Sequence, residues 1–195
     1  MEAKTVYFEK QGDENTKEAL ALARERAEAL GIKTILVAST TGKTAVKAMD
    51  VFKGLRVIVA THSMGFLEPN AQEFTEDNRK IVESKGGVMM TAAHAFGGIS
   101  RAFRQGDIPQ APATYVIGDL IASTLRVFGQ GTKVACETAV MAADAGLVRT
   151  DEEVISIAGT GRFGGGSDTA LVLQPQNAHR FFDLTVKEII CKPRL

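Results

Sequence analysis

The chain has no surplus of either charge: 23 Lys and Arg face 23 Asp and Glu over 195 residues. Nothing in that balance favours a nucleic-acid partner or an acidic membrane surface. No apolar run approaches the length of a membrane span. Histidine is scarce, and His62, His94 and His179 are too scattered to form a metal motif, so no bound metal is expected. Cys136 and Cys191 are the whole thiol supply. Without a secretory context, both are expected as free thiols in a reducing cytoplasm. No leader is apparent either, because Met1-Glu2-Ala3-Lys4 runs straight into a short strand. Five prolines against 19 glycines indicate tight turns rather than low complexity. There is no internal repeat and no linker. With 45% hydrophobic residues the chain can bury a sizeable core, and its length suits a single domain over residues 1–195.

What is present centres on Ser39-Thr40-Thr41-Gly42-Lys43-Thr44. An apolar run, Thr34-Ile35-Leu36-Val37-Ala38, precedes it and reads as a buried strand. Behind it Ala45, Ala48, Met49 and Phe52 fall on one helical face. Hydroxyls, a glycine and a lysine therefore stand where a helix begins. Unpaired backbone N–H groups and a partial positive charge collect there, which suits a phosphate. Gly42-Lys43-Thr44 has the ending of a P-loop, but that motif needs a glycine at position 37, which is valine. An ATPase is excluded. On these residues alone, a plain strand-to-helix turn with Thr41 or Thr44 as cap stays open beside the phosphate site.

In chain order, Thr5-Val6-Tyr7-Phe8 predicts a first strand, and Asn15 a cap for a helix over about 16–30. Leu20, Ala23, Ala27 and Leu30 mark the buried stripe of that helix, and Gly31 ends it. Arg56-Val57-Ile58-Val59-Ala60 is a strand that ends in the polar loop Thr61-His62-Ser63-Met64-Gly65. Asn70-Ala71-Gln72-Glu73 has capping-box spacing and predicts a helix from there to about residue 85. Val88-Met89-Met90-Thr91 is a strand running towards His94. Strands alternating with helices predict a parallel sheet, with ligands at the carboxyl ends of its strands. Gly12, Asn15, His62, Ser63, Met64, Gly65, Thr91 and His94 are pocket candidates on that edge.

The middle reads as an added helical segment over about 99–146. Val116, Leu120, Thr124 and Phe128 predict one helix, with Ile117, Ile121 and Leu125 widening its apolar face. A small-surfaced helix follows from Lys133, with Cys136 in the core and Lys133 and Glu137 spaced as a surface ion pair. Residues 153–158 read as a strand. Gly159-Thr160-Gly161-Arg162-Phe163-Gly164-Gly165-Gly166 after it contains a dinucleotide-type glycine spacing. Thr169-Ala170-Leu171-Val172-Leu173 looks like a strand rather than the required helix, so the loop is read as joining two strands. The tail is read as a strand through about residue 186.

Together, the 39–44 loop with its flanking strands, the strand at 154–158, and Arg162, Gly164, Gly166 and Thr169 resemble the C-terminal α/β domain of pyruvate kinase. In that family such a Ser/Thr-rich loop holds a phosphate of an allosteric sugar bisphosphate. The resemblance implies an α/β fold with a mainly parallel sheet and helices on both faces. Pyruvate kinase itself is not expected, since its active site lies mainly in a barrel of roughly 200 residues or more. The chain is similar to stand-alone relatives that bind flavin mononucleotide (FMN). That implies a flavoprotein with Ser39, Thr40, Thr41, Gly42, Lys43 and Thr44 at the phosphate, and Thr160, Gly161, Arg162 and Phe163 beside the ring or ribityl chain.

Three functions remain open. The first is a binding module for a flavin or a sugar phosphate, the latter as a sensor. The second is an enzyme acting on a phosphorylated metabolite or through a bound flavin, with His62 or His94 as acid–base group; no acid partner for either is identifiable in the sequence. The third is an interaction domain that pairs with itself as a homo-oligomer.

Overall fold

A computed structural model describes residues 2–105, 114, 116–160 and 165–194. Its strands are β1 (Val6–Phe8), β2 (Thr34–Ala38), β3 (Arg56–Ala60), β4 (Val88–Met90), β5 (Val154–Ala158), β6 (Thr169–Gln174) and β7 (Thr185–Pro193). They form one sheet in the order β1-β7-β6-β5-β2-β3-β4. All neighbours pair in parallel except β6, which runs antiparallel to β5 and β7. The central strands read as unbroken apolar runs because both faces are covered. Ile35, Leu36, Val37, Ile155 and Ile157 are all fully buried.

The helices are α1 (Thr16–Leu30), α2 (Lys43–Val51), α3 (Glu76–Ser84), α4 (Ser100–Gln105), α5 (Ile117–Arg126) and α6 (Gln130–Asp144). One core, under α1, α2 and α3, joins Leu20, Ala45, Phe52 and Val82 to Ile35, Val37 and Ile157. A second core on the opposite face joins Ala122 of α5 and Ala135, Ala139 and Ala142 of α6 to Leu36, Ile58 and Leu171. The expected α/β fold with helices on both faces is present. Helix α6 is buried nearly all round, and its small side chains let the backbone come close to the sheet. Ser156 Oγ donates to the Ala135 carbonyl at 2.9 Å. Among the described residues no helix is long and apolar enough to cross a membrane.

Several local expectations are corrected. Asn15 does not cap α1 with its side chain, which donates instead to the Lys10 carbonyl at 2.8 Å. Helix α3 does not begin after Asn70. Asn70 sits at φ 62°, inside turns closed by Ala71 N–H to the Glu68 carbonyl and Gly65 N–H to the Ala71 carbonyl. The cap of α3 is Thr75, whose hydroxyl accepts from the Asn78 N–H. On α5, Ile121, Ala122 and Leu125 face the core, while Ile117 and Leu120, and Val127 and Phe128 just after the helix, are exposed. The tail makes a 3₁₀ turn over Ala178–Asp183 and only then enters β7.

Candidate functional site

The order of connections reverses between β2 and β5. From β2 the chain winds outward through α2 to β3 and α3 to β4; from β5 it turns the other way to β6 and β7. At such a switch point the loops after the two strands part and leave a crevice beyond their carboxyl ends. The loops there are residues 39–44 and 159–166. A cavity of about 560 Å³ opens at this point.

The 39–44 loop forms one wall, through Ser39, Thr40, Thr41, Lys43 and Thr44. Ser39 Oγ accepts the Ala45 N–H at 3.3 Å, so this hydroxyl replaces the missing side-chain cap of α2. The first N–H groups of a helix have no partner within it, and those of Lys43 and Thr44 open α2. Gly42 holds the turn at φ 94°. A Cβ there would lie 2.5 Å from Asn78 Cβ and 2.8 Å from the Phe74 ring. Gly42 thus fits the loop against α3 and the segment before it, rather than bringing backbone towards a ligand. Asn78 Nδ2 fastens the same loop by donating to the Thr41 carbonyl at 2.9 Å.

Gly159, Gly165 and Gly166 line the facing wall. Their loop joins antiparallel β5 and β6, as expected. Gly159 and Gly166 serve close chain contact: a Cβ on Gly159 would stand 2.0 Å from the Gly166 carbonyl oxygen, and one on Gly166 would strike Asp13 and Thr16. Thr160 hydrogen-bonds the carboxylate of Asp168, which also accepts the Gly12 N–H at 3.0 Å and the Thr169 hydroxyl at 3.0 Å. Asp168 is fully buried and ties three segments together. Sequence reasoning passed over it. Gly12 belongs to this support, and neither it nor Asn15 lines the cavity. Gly161, Arg162 and Phe163 lie outside the described residues.

The third wall comes from the loops after β3 and β4. His62, Phe66 and His94 form one ring cluster, with centroids 3.9 Å apart for His62 and Phe66 and 5.5 Å for His62 and His94. The Arg101 guanidinium lies over Phe66 at 3.9 Å. His62 Nδ1 is 3.0 Å from Glu73 Oε2, and Nε2 is 3.4 Å from Thr40 Oγ1. The histidine therefore has an acid partner, contrary to the sequence expectation. Glu73 stands outside any regular element, and no sequence periodicity pointed to it. Burial holds the His62 pKa below its ordinary value; Glu73 pulls it back up, and Arg101 adds to the depression. Burial pushes His94 down to about 4, against the pull of Glu137. Thr91 is exposed, lies outside the cavity lining and shares a 2.8 Å hydrogen bond with Thr61. Ser63 and Gly65 line a smaller adjoining cavity of about 140 Å³. Met64 is exposed.

Helix α6 supplies the fourth wall and the largest correction. Lys133 and Glu137 are a buried pair, with side chains 8% and 6% exposed. Glu137 Oε1 accepts the Phe96 N–H at 2.8 Å and the Gly97 N–H at 3.1 Å, while Oε2 meets Lys133 Nζ. Burial alone would raise the Glu137 pKa, but the lysine and the Phe96 N–H outweigh it and hold the carboxylate ionised. One signal in the sequence pointed here: a helix with small residues on every side has no wet face for an ion pair. Among the described residues, Lys43, Arg101, Arg126 and Lys133 line the cavity against the single acid Glu137. The cavity therefore favours an anion.

The family model described as pyruvate kinase, alpha/beta domain, matches residues 17–173. The match takes in both loops of the switch point and all of α6.

Proposed function

The chain belongs to the pyruvate kinase alpha/beta domain family, and from that premise we propose that it binds a phosphorylated small molecule in the switch-point cavity, with FMN as the ligand. The observation that carries this reading is the 39–44 loop. Thr40, Thr41 and Thr44 bring hydroxyls to a cavity wall at the start of α2, with Lys43 beside them. Backbone donors, hydroxyl donors and a cation converging at a helix start make a phosphate cradle. The donor set fits the group, and the excess of cations on the walls fits its charge. Phe66, Leu67, Val134 and Met141 offer apolar surface for a flat ring farther along the cavity.

FMN, when bound, supplies redox chemistry of its own. The chain's part is to seat the phosphate at the start of α2, cover the ring with apolar walls and keep water away from it. A charge-assisted hydrogen bond contributes about 1.5–3 kcal/mol, and about 1.4 kcal/mol is tenfold in affinity. Replacing both Thr41 and Thr44 by alanine is therefore expected to weaken FMN binding at least about tenfold while the fold survives. Fluorescence titration with FMN and a circular dichroism melt would check this. An intact double variant with unchanged FMN affinity would remove the loop from the site.

A further inference from the structure

We propose that His62, steered by Glu73, is the second half of the phosphate site, so that the ligand is a phosphate monoester taken up together with one proton. This deepens the preceding reading and rests on it.

A carboxylate can only accept, so the 3.0 Å contact with Glu73 Oε2 places the hydrogen of a neutral His62 ring on Nδ1. Nε2 then carries a lone pair that accepts from the Thr40 hydroxyl across 3.4 Å, and a Thr40 hydroxyl turned towards a phosphate leaves that lone pair without a donor. The ring is held in that sense. Phe66 covers it at 3.9 Å between centroids, and the His62 backbone carbonyl takes hydrogen bonds from Gln72 Nε2 at 2.9 Å and Thr61 Oγ1 at 2.7 Å. A phosphate seated on the 39–44 loop would meet this nitrogen across the same wall.

Phosphate oxygens of the dianion are acceptors as well. Lone pair against lone pair is an unpaired and repulsive contact in a partly buried site. One proton resolves it. Carried on Nε2, it makes an imidazolium that donates to the phosphate; carried on the phosphate, it makes a monoanion that donates to Nε2. The complex holds one proton more than the neutral ring plus the dianion in either case. Glu73 favours that proton, and its Oε1 is buried without a hydrogen-bond partner among the described residues, leaving acceptor capacity beside the ring. Arg101 opposes it, and His94, with a pKa of about 4, adds no charge at neutral pH. Phosphate monoesters lose their second proton near pH 6. The free His62 ring also titrates below its ordinary value. Above about pH 7 both free partners are deprotonated, and the proton comes from solvent. The association constant then falls by about tenfold per pH unit for as long as the complex keeps its proton.

The test is calorimetric titration of the whole protein with FMN near pH 8, in buffers of different ionisation enthalpy. A fluorescence series from about pH 7 to 9 accompanies it, with riboflavin and inorganic phosphate as further probes. The expected result is uptake of close to one proton per FMN and a falling affinity with rising pH, with neither effect for riboflavin. His62→Gln, which offers a neutral donor, is expected to bind FMN with no uptake and with an affinity independent of pH. Glu73→Gln lets Nε2–H donate without an added proton, and uptake is expected to drop by half or more. FMN bound without proton uptake, or with uptake unchanged in His62→Gln, overturns the inference and leaves the phosphate site standing. Failure of both FMN and inorganic phosphate to bind at any pH sinks the phosphate site, and the inference with it.

Discussion

Lys133 and Glu137 illustrate how far burial changes the meaning of a spacing. On an exposed helix, an i,i+4 pair contributes about 0.2–0.5 kcal/mol. On α6 the same spacing lies buried in the cavity wall, and the carboxylate also holds the Phe96 and Gly97 N–H groups. Removing the lysine would leave a carboxylate in a buried site without its counter-ion. Lys133→Met is therefore expected to cost about 3–5 kcal/mol in urea denaturation. A cost below about 1 kcal/mol, the value for a surface pair, would contradict this description of α6. Glu73 and Asp168 teach the same lesson by another route. Each acts through contacts with residues distant in sequence or outside regular elements, and neither leaves a periodic trace. By contrast, the hydroxyls of the 39–44 loop were legible because strand end, helix start and residue type coincide within a few positions.

At the level of elements, β2, the 39–44 loop and α2 form the unit most plainly written in the sequence, and Gly42 is its tightest joint. Two demands meet at that residue: a left-handed backbone at φ 94°, and a Cβ position already occupied by Phe74 and Asn78. Gly54, at φ 81°, meets only the first, since nothing lies within 4 Å of its Cβ position. Gly54→Ala is expected to cost about 1–2 kcal/mol from backbone strain alone. Gly42→Ala adds overpacking and is expected to cost about 1–3 kcal/mol more. Equal losses in the two thermal or chemical melts would show that the contact with α3 is slack. Elements set by local pattern were read correctly: β2, β3, β5, β6, α1 and the joining of two strands by the loop after β5. Elements set by distant partners were not. Strand β7 exists because β1 and β6 flank it, and α3 starts late because turns occupy residues 65–71. The face that α5 presents to the core is chosen by α6 and the sheet rather than by its own apolar stripe.

On the scale of the whole molecule, the sheet is open, and the first and last strands meet at one side of it. Strand β1 is the edge there and pairs with β7, the next strand in. The two cores lie on opposite faces of this sheet, and the thiols are divided between them: Cys191 in one and Cys136 in the other. Both are free and buried, with burial raising each to about 12. Parallel strands from β4 to β5 place every carboxyl-end loop on one side, and the reversal between β2 and β5 fixes where on that side the cavity opens. The function of the molecule turns on what that cavity holds. Its most direct test is a paired titration of the purified protein with FMN and with riboflavin near neutral pH, because the two differ only by the phosphate. The account predicts FMN to bind at least about tenfold more tightly, the worth of one or more charge-assisted hydrogen bonds. Equal affinities for the two would contradict it.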